Sequence, residues 1–197
     1  RDIYAAGAVQ PGDEDDYFQS SLFTIARRRI LWLLILVLAN GLTTKVIAMN
    51  DQILKEIVLL AAFIPLLIGT GGNVGAQSST VVIRGLSTQK LKSLGAIKAV
   101  VKESITGALL GVLMMLVVFP FAWWQGEGPL IASAVAISLI SITTLAATTG
   151  AILPLLFDKM KLDPALMSSP FITTVTDIAG VFIYLSTAKW LLVSKFI

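Results

Sequence analysis

The chain has 197 residues, of which 56% are hydrophobic and 14% charged, with a net charge of +3 and a mean hydropathy of +0.86. Soluble domains carry about a quarter charged residues, so water is the wrong solvent for most of this chain, and disorder is excluded on the same ground. The absence of Cys and His excludes disulfides, thiolate or imidazole metal sites and Cys–His or Ser–His–Asp catalysis, so that a bound metal must be a hard ion held by oxygen.

Residues 1–20 read as a cytosolic acidic lead-in, with Asp13-Glu14-Asp15-Asp16 following Pro11-Gly12. Such a run is either a solvated surface or a segment that attracts cations and docks on the basic link at 84–102. Residues 21–197 read as a membrane domain. A helix needs about 20 apolar residues to cross the hydrocarbon core. Five stretches are expected to do so: 30–47, 57–83, 99–124, 129–157 and 168–193. The third and fourth are separated only by Gln125-Gly126-Glu127-Gly128, a tight helical hairpin.

Basic residues set the orientation. Arg27, Arg28 and Arg29 precede the first stretch; Arg84, Lys90, Lys92, Lys98 and Lys102 join the second to the third; Lys159 and Lys161 join the fourth to the fifth. The opposite ends hold only Lys45, Lys55 and Lys195. Lysine and arginine collect on the cytoplasmic side, which puts the N-terminus inside and the C-terminus outside, as five crossings require. Trp32 then marks the inner boundary, and Trp123, Trp124 and Trp190 the outer one. The expected fold is an all-α, multi-pass protein of the inner (plasma) membrane, with the lipid bilayer as partner and no nucleic acid.

Polar residues inside the stretches locate the chemistry. In the second, Thr70, Asn73 and Gln77 share a face at i, i+3 and i+7, and Gly71, Gly72 and Gly75 belong to small-xxx-small patterns. This segment is expected to line a path, with close packing as the alternative. Gly107 and Gly111 in the third stretch suit packing alone, and the Ser and Thr residues of the fourth suit helix–helix packing first. In the fifth, Ser169, Thr173, Thr174, Asp177, Gly180 and Tyr184 recur at helical spacing as one polar or small stripe. Asp177 alone of the acids lies well inside a stretch, about nine residues or roughly 13 Å from its start. A carboxylate at that depth costs several kcal/mol unless it faces water or a cation. It is expected to be an ion ligand, the alternative being an Asp held by hydroxyls at a helix contact. Glu103 and Asp163 fall on the basic side and are expected at a cytoplasmic vestibule.

Enzyme readings fail on inventory. An intramembrane aspartyl protease needs a second deep Asp, a serine protease a His, and no P-loop pattern is present. An oxygen-only site suits Mg²⁺, Ca²⁺, Na⁺ or a proton. Mg²⁺ dehydrates reluctantly, so a wide site holds it with its waters. One carboxylate per chain becomes two across a twofold axis, which favours a homodimer with a central pore.

The run Pro65-Leu66-Leu67-Ile68-Gly69-Thr70-Gly71-Gly72-Asn73-Val74-Gly75-Ala76-Gln77-Ser78, followed by Ile83-Arg84-Gly85-Leu86, resembles the signature of the MgtE magnesium transporters. So does Asp163-Pro164-Ala165, with Ser168-Ser169-Pro170, Thr176-Asp177-Ile178-Ala179-Gly180 and Tyr184-Leu185. The resemblance covers about residues 17–194. It implies a homodimeric, Mg²⁺-selective channel with five transmembrane helices per subunit and a central pore lined by the second and fifth. It further implies an ion bound at Asp177 with backbone carbonyls nearby, including that of Thr173. Cytosolic regulatory domains that sense internal Mg²⁺ are implied as partners that these residues do not contain. Bacterial members often have Asn at the positions of Ala76 and Ser169. The expected function is potential-driven Mg²⁺ transport, with other divalent cations left open; a divalent ion gains about 4.6 kcal/mol per 100 mV. The alternatives are an exchanger of divalent cations for Na⁺ or H⁺, and a non-conducting interaction module whose polar spans only dimerise.

Overall fold

The computed structural model describes residues 21–89, 91 and 95–192. The acidic lead-in, Lys90, Lys92 and the end of the fifth stretch lie outside them. The described regular structure is helical: α1 Leu22–Ala48, α2 Asp51–Glu56, α3 Leu59–Ser87, α4 Ala96–Ala122, α5 Pro129–Lys159 and α6 Pro164–Leu192, with a π-helical turn Trp123–Glu127 after α4. Among the described residues, α3, α4, α5 and α6 contain segments long and apolar enough to cross a membrane, by length and composition. The chain is therefore a multi-pass membrane protein. Among the described residues α1 adds the apolar stretch Leu33–Ala48.

Local chemistry sets the boundaries. Gly95 and Gly128 start α4 and α5 with φ of 83° and 85°, a region open to glycine without a Cβ penalty. Pro129 follows at the first helical position, where its missing N–H costs nothing. α5 ends with Lys161 left-handed (φ 59°), and the Leu162 N–H returns to the Phe157 carbonyl at 2.9 Å. Asp51 and Lys55 pair along one face of α2.

α5 is the hub: it packs against α3, α4 and α6, while α1 rests on α6. In its most apolar segment 61% of residues are buried, against 22% in α4. The core runs through Leu60, Leu67, Ile131, Val135, Leu139, Ile142, Val181, Tyr184 and Leu185. Glycines let these helices approach. A methyl at Gly107 would stand 2.5 Å from the Ala147 Cβ and 2.6 Å from the Thr143 carbonyl oxygen, so the Gly107–Gly111 pair serves packing, as its sequence suggests. Gly111 meets Ile140 and Thr143, and Gly150 meets the backbone of Gly75. The Ser104 and Thr148 hydroxyls bond across α4 and α5 at 2.7 Å.

Candidate cation site

α3 and α6 run antiparallel, and their contacts fix the register. Added methyls would bring Gly71 against the Thr176 Cγ2 at 2.5 Å, Gly72 near the Thr173 Cγ2 at 3.9 Å and Gly75 against the Ile172 Cγ2 at 2.5 Å. This register sets Asp177 level with Gly69 and Thr70. Gly69 has no atom within 4 Å of where a Cβ would stand, so the backbone beside the Asp177 level is open. The sequence holds that signal in Gly69, Gly72 and Asn73 at i, i+3 and i+4, although only the last two are expected from it to line a path.

Along this pair of helices, Asn73, Gln77 and Thr173 are exposed, while Thr70, Gly72, Thr174 and Asp177 are half-buried. The side chains of Thr70, Asn73, Gln77, Thr174 and Asp177 make no hydrogen bond or ion pair with the described residues of the chain. The Thr173 hydroxyl donates to the Pro170 carbonyl at 2.9 Å. Asp177 stands mid-way along α6, about seven residues or roughly 10 Å from the start of the apolar segment Pro170–Leu192.

Other residues expected along the path, from the stripe on α6 and from α3, lie elsewhere. Tyr184 is fully buried and its hydroxyl donates to the Leu60 carbonyl at 3.1 Å, tying α6 to α3. Gly180 is buried against Ile142, and Gly71 against Ile142 and Thr176. These three sit in the packing within one chain, because α6 turns one edge of the stripe toward α5 and leaves the other open. Ser169 is part of α6, and its side chain lies outside the described residues. Glu103 is half-buried near the start of α4, and exposed Asp163 immediately precedes α6. Antiparallel packing brings both to one end of the bundle, together with Arg84, Lys98, Lys102, Lys159 and Lys161.

The donors along the open face are carboxylate, amide and hydroxyl oxygens, the set a hard cation prefers. Among the described residues no group of three or more Asp or Glu could hold a metal, so one chain offers a single carboxylate at this depth.

The family model for MgtE, described as a divalent cation transporter, matches residues 64–187. The chain belongs to the MgtE family. The match spans α3 from Ile64 onward, all of α4 and α5, and α6 as far as Thr187, with Asp177 inside it. This MgtE-family chain is 36% identical over 191 residues to the magnesium transporter MgtE of Thermus thermophilus, covering 97% of the chain and 42% of that protein. It is 34% identical over 176 residues to the magnesium transporter MgtE of Bacillus subtilis, covering 89% and 39%. With that of Enterococcus faecalis it shares 34% identity over 168 residues, covering 83% and 36%. The chain thus spans about two fifths of the length of the relatives it matches. The family is one of transporters and not of enzymes.

Proposed function

We propose that this chain is the membrane pore domain of a Mg²⁺ transporter, and that two copies form a potential-driven channel for the hydrated ion. The reading is carried by one observation: the Asp177 carboxylate lies mid-way along an apolar helix and has no partner among the described residues of its own chain. At membrane depth such a group needs water or a cation, and here either must come from outside the fold of one chain. A second copy across a twofold axis supplies an opposing Asp177, so that two carboxylates flank one divalent ion.

Mg²⁺ sheds its water slowly, so the ion passes with its shell, and the shell is what the protein holds. Asp177 attracts the charge, while Thr173, through hydroxyl or carbonyl, and Thr70, Asn73, Gln77 and Thr174 receive hydrogen bonds from the waters. Gly69 and Gly72 keep the path wide. Glu103 and Asp163 hold cations near the cytoplasmic mouth against the surrounding lysines. The topology is five crossings, α1 included, with the N-terminus in the cytoplasm and the C-terminus outside the inner membrane. Cytosolic regulatory domains act from the N-terminal side. The names of the relatives support Mg²⁺ as the cargo.

The test is flux into liposomes that hold a Mg²⁺ indicator, with a K⁺ diffusion potential as the only driving force. Uptake that follows the potential, and that collapses in Asp177→Asn with the dimer intact, is the expected result. Strict dependence on a Na⁺ or proton gradient would make the chain an exchanger. No flux from intact dimers would leave a non-conducting module.

A further inference from the structure

Of the four helices long and apolar enough to cross a membrane among the described residues, α4 is the least buried. One face is committed to α5 through Ser104, Gly107 and Gly111. The flank beside it is open: Ile97 is 81% exposed, Val101 51% and Ile105 64%. With Lys98, Lys102 and Thr106 these residues line a shallow groove of about 380 Å³. Both lysines are exposed, and neither has a carboxylate partner within 4 Å among the described residues. The Thr106 hydroxyl turns back to the Lys102 carbonyl at 2.8 Å, so it leaves the groove to the two cations and the aliphatic chains.

We propose that this groove binds one anionic phospholipid, with its phosphate between the Lys98 and Lys102 ammonium groups and an acyl chain along Val101 and Ile105. The spacing fits. Lys98 and Lys102 are one helical turn apart, on one face, with Cβ atoms about 5–6 Å apart. Trp124 at the far end of the helix is 83% exposed and suits the opposite headgroup level. Counting back about 30 Å at ~1.5 Å per residue ends near residue 104. Lys102 therefore sits at the hydrocarbon boundary and Lys98 about 6 Å further out, among the headgroups. Lysine stems lie along apolar surface while their charges reach the interface. Two cations with no carboxylate partner among the described residues complement a headgroup of net negative charge; a zwitterionic headgroup brings its own cation and gains less. On the topology proposed above the site faces the cytoplasmic leaflet, which carries the negative surface potential. The lipid site itself requires only that α4 span the bilayer, and its test involves no ion flux.

The test is native mass spectrometry of the whole chain in detergent, titrated with dioleoylphosphatidylglycerol or dioleoylphosphatidylcholine. Each basic residue near an anionic surface contributes about fivefold in affinity, so two give roughly 30-fold at most. The parent is expected to bind its first phosphatidylglycerol about 10- to 30-fold more tightly than phosphatidylcholine, by the same rule. In the double variant Lys98→Gln, Lys102→Gln, checked for folding by circular dichroism and elution volume, the preference should fall to about threefold or less. The double variant Lys159→Gln, Lys161→Gln, with the same loss of charge at the same end of the bundle, should keep it. Equal binding of both lipids by the parent overturns the proposal, as does an unchanged preference in the Lys98, Lys102 variant. The chain has no cysteine, so Val101→Cys supplies a lone thiol. Its quantitative disulfide crosslinking between copies in the membrane would assign the groove to a second chain instead.

Discussion

α5 and α6 are close in length, 31 and 29 residues, and both carry hydroxyls along an apolar helix, yet they treat polarity in opposite ways. In α5 four of the seven hydroxyls are spent on the helix itself, Ser141 donating to the Ile137 carbonyl, Thr143 to Leu139, Thr144 to Ile140 and Thr148 to Thr144, and Ser138, which has no partner among the described residues, is buried away from any open face. Such bonds leave little for a ligand and let the helix sit in an apolar surround. α6 keeps that habit at buried Thr176, whose hydroxyl reaches the Ile172 carbonyl at 2.6 Å. One residue on, Asp177 breaks it. The lesson is that the number of polar atoms in a span says little; what marks an ion path is hydrogen-bonding capacity left unspent on an accessible face.

Asp177 is the position where the two helices differ most. Asp177→Asn keeps the shape and deletes the charge. A hydrogen bond to a charged group contributes roughly 1.5–3 kcal/mol, so Mg²⁺ flux into liposomes should drop about 10- to 150-fold while the elution volume stays unchanged. Parent-like flux would make the carboxylate structural. Two adjacent glycines sharpen the contrast. Gly71→Leu pushes into Thr176 and Ile142, and should abolish folded protein in a detergent melt. Gly72→Leu meets little of its own chain and reaches the open face; folded dimers should form and conduct at least about tenfold less, an effect of the order of one lost charged contact. If Gly72→Leu conducts like the parent, α3 does not line the path.

Charge at the mouth should matter less. Glu103→Gln or Asp163→Asn should lower flux about two- to threefold at low ionic strength and hardly at 1 M salt, where screening shortens to about 3 Å. A large loss that salt does not change would point to direct ligation. The smallest effect belongs to α5. Thr143→Val removes a bond to the Leu139 carbonyl, and should cost about 0.6 kcal/mol of stability with flux unchanged; a loss of conduction there would erase the distinction between the two helices.

Much of this fold is legible in the residues. Apolar runs and the Gln125–Gly128 interruption give the long helices, because hydrocarbon thickness fixes their length. Gly107 and Gly111 read as packing and do pack. Asp177 stands out because a lone acid in an apolar run has few explanations. The short helix α2 is not legible, since six mixed residues carry no period strong enough to declare one. Nor is the division of the stripe on α6. Spacing puts Thr173, Asp177, Gly180 and Tyr184 on neighbouring edges, but which edge meets α5 depends on the facing side chains. Tyr184 finds its partner at Leu60, 124 residues away, a pairing no local pattern encodes.

The contact between Gly75 and Gly150 has a mechanical consequence. Where these two meet, α3 touches α5 through main-chain atoms, including the Gly75 and Ala146 carbonyls. Main chain has no rotamers to exchange, so this pair of helices resists sliding and moves as a single strut. Below the Tyr184–Leu60 bond α6 meets α3 differently, through the terminal methyls of Ile172, Thr173 and Thr176, which can change partners in small steps as packed helices shear past one another. On the channel reading proposed above, a widening or narrowing of the path would fall to α6 against the α3–α5 strut, and the charge of Asp177 would ride with it.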